Sequence, residues 1–193
     1  MDMISRESLK SWLTGLKDRY QVMAPVLIEG SHLFRPISSP DEIAWDYYNS
    51  VVPPKELVFP ITESLFTLEY ENGEPKIQEP VIDRETVIFG LRPCDARAIA
   101  LLDASFLNDP VDTPYARRRA MVTLVGWACT HPETPCFCAN VGGAPNGTEG
   151  LDVLRYGVLQ ARRGGLTKRD VANTRPLDKL RKLIEQGRQR AQR

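Results

Sequence analysis

Two short apolar runs separated by a helical pattern constrain the fold of this chain more than any other feature. The first run is 86–90 (TVIFG) and the second is 121–127 (MVTLVGW), and both are rich in β-branched residues. Residues 96–107 between them follow a helical pattern. A strand, a helix and a strand in this order favour a parallel pair joined by a crossover. We therefore predict a β–α–β unit over 86–127.

All four cysteines of the chain lie in or just after this unit, at Cys94, Cys129, Cys136 and Cys138. Cys94 and Cys129 each follow one of the two strands by a few residues, so parallel pairing brings both to the same edge of the sheet. A short loop then returns Cys136 and Cys138 to that edge. Because four thiolates are the usual ligands of a [4Fe–4S] cluster, we predict that these residues hold one such cluster.

The surroundings of Cys94 favour a charged thiolate. Cys94 lies near the start of the predicted helix, where free backbone N–H groups and the helix dipole stabilise negative charge. Arg92 adds a positive charge two residues earlier. We also expect the N–H groups of Gly142 and Gly143 to reach sulfur atoms of the cluster.

The same residues leave other interpretations open. Four cysteines can make a structural zinc site, although zinc ligands more often come as Cys pairs with two to four residues between them. Cys94 can also be a nucleophile, with His131 as its base. Lys55 and Glu63 are either ordinary exposed side chains or site residues. The run 117–119 (RRR) is either a solvated helix face or a docking patch for an acidic partner.

Upstream patterns predict further helices and strands. Two pairs of strands, 22–29 with 33–37 and 65–70 with 76–81, read as hairpins, and 39–42 (SPDE) reads as the start of a helix. One face of a helix that Ser5 caps is formed by Leu9, Trp12, Leu13 and Leu16. The predicted fold class is α/β: a mixed sheet with a β–α–β unit carrying the cysteine site, N-terminal hairpins and helices, and a basic C-terminal tail.

The charge distribution divides the chain. Residues 1–154 contain 13 Lys and Arg against 22 Asp and Glu, whereas residues 155–193 contain 12 against 3. We therefore predict an α/β domain over 1–154 that binds the cluster, followed by a basic tail over 155–193. The tail lacks interleaved aromatic residues, which gives little support for nucleic-acid binding.

Other classes of protein are disfavoured. No apolar run approaches the roughly 20 residues that a membrane span needs, and no signal-peptide pattern opens the sequence. We therefore expect a cytoplasmic, reducing environment, where cysteines bind metals or catalyse reactions more often than they form disulfides. No glycine-rich nucleotide-binding motif is present.

Three motifs together resemble one family. They are 90–95 (GLRPCD), the Cys129-x6-Cys136-Phe137-Cys138 spacing, and 52–60 (VPPKELVFP). Segments 142–145 (GGAP) and 150–152 (GLD) are similar too. The family is that of the beta subunits of cytoplasmic sulfhydrogenases, which are NAD(P)-linked nickel–iron hydrogenases, and it also includes one of the subunits of anaerobic sulfite reductase. The resemblance covers about residues 1–154.

This resemblance implies an N-terminal iron–sulfur domain that is followed by a ferredoxin-like domain with two further clusters. Such a subunit relays electrons between a flavin-bearing NAD(P)H partner and a catalytic hydrogenase or sulfite reductase subunit, and has no catalytic residues itself. The resemblance implies that the four cysteines ligate the first [4Fe–4S] cluster, with Lys55 and Arg92 as cofactor-binding residues near it.

The sequence departs from the family after the last cysteine. The ferredoxin run Cys-x2-Cys-x2-Cys-x3-Cys-Pro is absent, and no cysteine follows Cys138. We interpret this either as a truncated or frame-shifted product, or as a split gene whose ferredoxin part is a separate chain.

Overall fold

The computed structural model describes residues 6–130, 132 and 134–155. The basic segment from 156 onward, Ser5 and His131 lie outside the described residues. In chain order the helices and strands are α1 (Arg6–Lys17), β1 (Gln21–Ile28), β2 (Ser31–Pro36), β3 (Thr67–Glu71), β4 (Glu74–Gln78), β5 (Thr86–Leu91), α2 (Pro93–Phe106), α3 (Thr113–Ala120), β6 (Val122–Trp127) and β7 (Val153–Arg155). Short 3₁₀ turns occupy Pro40–Glu42, Pro54–Leu57 and Cys138–Val141.

The main sheet is mixed and has five strands in the order β2-β1-β5-β6-β7. β1 and β2 form an antiparallel hairpin, whereas β1, β5, β6 and β7 pair in parallel. β3 and β4 form a separate antiparallel hairpin. The predicted α/β class, with its mixed sheet, N-terminal hairpins and β–α–β unit, is therefore confirmed.

Helix α1 covers one face of the main sheet. Its buried residues are the four predicted from the helical period, namely Leu9, Trp12, Leu13 and Leu16. They pack in one core cluster with Val22, Val87 and Phe89 from the strands. Burying one helical stripe against a sheet is the usual way in which such a helix is stabilised.

Helix α2 belongs to the core on the opposite face. Ala96 and Ile99 of this helix share a second cluster with Met23, Ile88 and Leu91. Alternation along β5 accounts for Val87 and Ile88, which point to opposite faces. The two clusters show that the sheet is covered on both sides, as its parallel central strands require.

A bulge at Gly90 interrupts that alternation. Phe89 pairs with Val125 and Leu91 pairs with Gly126, so two residues of β5 advance while β6 advances by one. Gly90 has a φ of +92°, a conformation that favours glycine. The bulge places Leu91 on the face of Ile88 instead of the face of Phe89.

The expected helix after Ser39 is only a single 3₁₀ turn. The start signal is real, because Ser39 and Glu42 form a reciprocal capping box. The chain then leaves the helical path, and the N–H of Ala44 donates to the carbonyl of Pro25 at 2.8 Å. β1 pairs with β5 only over residues 21–23, so the Pro25 carbonyl is open to this long-range contact.

The β–α–β crossover differs from the prediction in where its first helix begins. Helix α2 begins at Pro93 rather than at residue 96, since proline is well suited to the first helical position. The connection to β6 contains a second helix, α3, which includes the predicted helix face at 117–119 and whose first turn is capped by the Asp112 side chain.

The β3–β4 hairpin has all ten of its strand residues exposed. Leu68 pairs with Ile77 and Tyr70 pairs with Pro75. Residues that pair directly share a face of the hairpin, so one face is apolar. No helix in the described part of the chain is long and apolar enough to cross a membrane.

Candidate metal centre

The cysteines are placed by the ends of two parallel strands. Cys94 is the second residue of α2, directly beyond β5, and Cys129 follows the end of β6 by two residues. All four cysteines are reduced thiols, with Cys94 and Cys136 exposed and Cys129 and Cys138 half-buried. The carboxyl ends of β5 and β6 thus bring Cys94 and Cys129 to one edge, as the sequence predicted.

The buried side chain of Arg92 fastens this edge together. Its Nε donates to the carbonyl of Tyr48 at 3.0 Å, and one Nη donates to the carbonyl of Ala128 at 3.3 Å. Its other Nη donates to the carbonyl of Tyr47, over whose ring the guanidinium lies at 4.4 Å. Arg92 therefore links the segments that precede Cys94 and Cys129 to the segment 47–48.

That segment in turn contacts a third cysteine. The hydroxyl oxygen of Tyr48 lies 2.7 Å from the sulfur of Cys136. Tyr48 was not among the predicted site residues, because nothing in the polar stretch around it indicates a contact 88 residues away.

The loop after Cys138 closes back on the start of α2. The N–H of Gly143 donates to the carbonyl of Cys138 at 2.7 Å, and the N–H of Cys129 donates to the carbonyl of Pro145 at 2.8 Å. A Cβ on Gly143 would lie 3.5 Å from a guanidinium nitrogen of Arg97 in α2. These contacts connect Cys138 and Cys129 through one loop.

The expected role of the glycine N–H groups is wrong in this structure. Gly142 donates to the carbonyl of Ala139 and Gly143 donates to that of Cys138. Both groups are therefore used to close the 3₁₀ turn and do not point to a ligand sulfur.

The thiol of Cys94 is less acidic than its position at a helix start suggests. Although Cys94 is exposed as a residue, partial burial of its sulfur, and then the negative charge of Asp95, raise the pKa of Cys94 to about 11. Hydrogen bonds from the backbone at the helix start lower the pKa by less, and the nearby Cys129 raises it slightly. The predicted preference for thiolate is therefore outweighed by desolvation in the metal-free protein.

Lys55 and Arg92 face the same acidic neighbour. Burial raises the pKa of Asp95 to about 6, while the charges of Arg92 and Lys55 oppose that rise. Lys55 is exposed at the start of a 3₁₀ turn. The two predicted cofactor-binding residues thus lie within electrostatic reach of the helix start that carries Cys94.

Glu63 and the arginine run serve the packing of α3. Arg118 pairs with Glu63, Arg117 pairs with Glu79, and Arg119 donates to Asp103. The run thus forms ion pairs within the chain while Arg117 stays exposed, as a solvated helix face predicts, and the alternative of a docking patch stays a prediction. His131, the base that the thiol-enzyme interpretation needs, lies outside the described residues.

The donor set fits a thiolate-ligated centre in its chemistry and in its place on the sheet. Four reduced thiols lie in segments that Arg92, Tyr48 and the 138–147 loop connect to one another. Within the ranges that the structure describes, however, no three His, Cys, Asp or Glu side chains are close enough together to hold a metal ion. The four cysteines therefore match a thiolate-ligated centre in ligand type and in their location on the sheet, but their side chains are not yet arranged around one metal position.

The fold and the cysteine set define a class, namely an α/β domain that presents thiols at the carboxyl edge of a parallel sheet. Sulfhydrogenase 2 subunit beta of Pyrococcus furiosus is 30% identical to this chain over 150 residues, which are 78% of this chain and 43% of that protein. The predicted resemblance to the family of sulfhydrogenase beta subunits is confirmed, at moderate identity.

The chain spans less than half of the length of that relative. No family model matches the sequence, and no solved structure matches it.

Proposed function

We propose that residues 1–154 form the iron–sulfur domain of an electron-transfer subunit in a multisubunit oxidoreductase. The ligands of one [4Fe–4S] cluster would be Cys94, Cys129, Cys136 and Cys138. The observation that carries the proposal is the linkage of all four thiol-bearing segments through Arg92, Tyr48 and the 138–147 loop. The similarity to a sulfhydrogenase beta subunit supports the same class of protein.

The cluster, when bound, supplies a one-electron redox centre. The protein's own part is to fix the ligands and to lose their protons. Arg92 donates hydrogen bonds to the carbonyls of Ala128, Tyr47 and Tyr48, so the backbone next to Cys129 and at Tyr48 has a defined position before the cluster binds. The pKa of the Cys94 thiol is raised to about 11, so this thiol carries a proton at neutral pH. Ligation must displace that proton, so binding of the cluster will release acid.

The proposed partners are a flavin-bearing NAD(P)H subunit and a catalytic hydrogenase or sulfite reductase subunit, in the cytoplasm. Electrons would pass through this domain without substrate chemistry on it. The basic segment 155–193 would be an appendage that the cluster does not need.

Of the two alternatives, one predicts bound zinc and the other predicts no metal. A structural zinc module would use the same four thiols. A thiol enzyme would need a nucleophilic Cys94, but reactive cysteines have a lowered pKa, whereas that of Cys94 is raised. No contact in the described residues favours the enzyme.

The test is anaerobic loading of the full chain with iron and sulfide, followed by iron, sulfide and zinc analysis. The proposal expects broad absorbance near about 400 nm and about four iron atoms and four sulfides per chain. Each single Cys→Ser change should lower the iron content. Deletion of residues 160–193 is the control and should leave the iron content unchanged.

One zinc and no iron would support the structural module instead. A metal-free protein whose Cys94 is alkylated rapidly at neutral pH would support the thiol enzyme. Loss of iron after the deletion would contradict the assignment of the tail as an appendage.

A further inference from the structure

We propose that the Tyr48 hydroxyl donates a hydrogen bond to the sulfur of Cys136 and sets the reduction potential of the centre that this sulfur ligates. Tyr48 would be a positioning and tuning residue, not a catalytic one. The inference rests on the proposed function, because it assigns a role toward the cluster to a side chain that no motif indicated.

The contact itself is short and involves two side chains. The Tyr48 oxygen and the Cys136 sulfur are 2.7 Å apart. Either atom can be the donor when Cys136 is a thiol, but a ligating thiolate has no proton. In the loaded protein the phenol must therefore be the donor, in a hydrogen bond strengthened by the negative charge on sulfur.

The backbone at Tyr48 is held in place by three hydrogen bonds. Arg92 donates to the carbonyls of both Tyr47 and Tyr48. The buried Tyr47 side chain, 2% exposed, donates its hydroxyl to the carbonyl of Gly90 and lies below the Arg92 guanidinium. A donor mounted on such a fixed segment keeps its direction, whereas a tyrosine on a mobile segment would lose the contact to rotation.

The same network ties this donor to two of the other ligand segments. Arg92 also holds the carbonyl of Ala128, next to Cys129, and lies two residues before Cys94. The hydroxyl of Tyr48 connects a third cysteine, Cys136, to the same network, and this cysteine lies in the loop after β6. Tyr48 thus connects the loop that carries Cys136 to the segment that Arg92 holds.

The expected effect on the potential follows from charge. Reduction adds negative charge to the cluster and its sulfur ligands, so a hydrogen bond to sulfur stabilises the reduced form more than the oxidised form. Removing the donor should therefore make reduction harder and shift the midpoint potential to a more negative value.

The test compares Tyr48→Phe with wild type and with Tyr70→Phe, each loaded anaerobically with iron and sulfide. Tyr70 is 70% exposed on the β3 strand, so its variant loses a hydroxyl outside the site. We expect a more negative midpoint and faster loss of iron to a chelator for Tyr48→Phe, and wild-type values for Tyr70→Phe. Unfolding midpoints of the metal-free proteins show whether both variants fold.

A second substitution keeps the claim testable if Tyr48→Phe loads poorly. Incorporation of 3-fluorotyrosine at position 48 retains the ring and makes the phenol a stronger donor, so the midpoint should shift to a more positive value. Opposite shifts in the two variants would support the hydrogen bond.

The outcomes separate this inference from the proposed function. If wild type binds iron and sulfide but neither variant shifts the midpoint, the role of Tyr48 is overturned while the iron–sulfur assignment stands. If wild type binds no iron, both are overturned.

Discussion

Gly150 packs directly against the backbone of Ala96. A methyl group built on Gly150 would lie 2.4 Å from the carbonyl oxygen of Ala96, closer than real Cβ atoms approach. The φ of Gly150 is +75°, which non-glycine residues rarely adopt. This contact presses the loop before β7 onto the helix that carries Cys94.

Gly150→Ala should therefore destabilise the protein by at least about 3 kcal/mol, since backbone strain and overpacking add. Gly30→Ala is the matched control, because Gly30 has a similar φ of +78° with nothing within 4 Å of the added Cβ. That control should cost about 1 kcal/mol. Urea unfolding of both variants measures the difference, and equal losses would show that the Ala96 contact costs nothing.

Arg92→Lys should destabilise the protein by about 2–4 kcal/mol, although the charge is kept. A single ammonium group cannot reproduce the fork that reaches the carbonyls of Tyr47, Tyr48 and Ala128. Arg35→Lys, at an exposed residue of β2, is the control and should stay within about 0.5 kcal/mol of wild type. Similar unfolding midpoints in denaturant for the two variants would argue against a stabilising role for the three hydrogen bonds of Arg92.

The stability contributed by Asp152 should fall as the pH rises. Burial raises the pKa of Asp152 above its ordinary value of 3.8, with opposing contributions from the Leu124 N–H and the charge of Arg119. As the pH rises past 3.8, the unfolded chain loses this proton first, so folding becomes less favourable until the raised pKa is passed.

Asp152→Asn removes this titration and keeps an oxygen acceptor for the Leu124 N–H, which now donates to Asp152 at 2.8 Å. The stability of the variant relative to wild type should therefore increase with pH from about 4 and then level off. Urea unfolding at several pH values tests this. A difference that stays flat or decreases with pH would contradict the sign.

Loading with iron and sulfide should slow amide hydrogen exchange in the segment 134–147. Within the described residues no three metal-binding side chains are assembled, so ligation requires this loop to settle against Cys94 and Cys129. The separate β3–β4 hairpin is the internal control and should exchange at the same rate in both states. Unchanged exchange over 134–147 would mean that the loop takes no part in binding.

The sequence predicted what short-range patterns determine. The helical period identified the buried face of α1 residue by residue, and apolar runs located β5 and β6. Parallel pairing of those two strands then placed Cys94 and Cys129 at one edge, since both follow strand ends.

Long-range contacts account for what the sequence did not predict. The turn after Ser39 ends because the N–H of Ala44 donates to the carbonyl of Pro25. The Tyr48–Cys136 contact likewise joins residues that are far apart in the sequence. The acidity of Cys94 was misjudged because desolvation depends on packing that no local motif reveals.

The inserted residue at Gly90 has a consequence for how the chain tolerates length changes. A deletion of Gly90 would keep Leu91 on the face of Ile88, because Leu91 would then directly follow Phe89 and pair with Gly126 in a regular ladder. A deletion elsewhere in β5 would instead reverse the faces of the residues on one side of it. Gly90 is therefore the position at which this strand can lose a residue without sending Leu91, and the helix start that follows it, to the opposite face of the sheet.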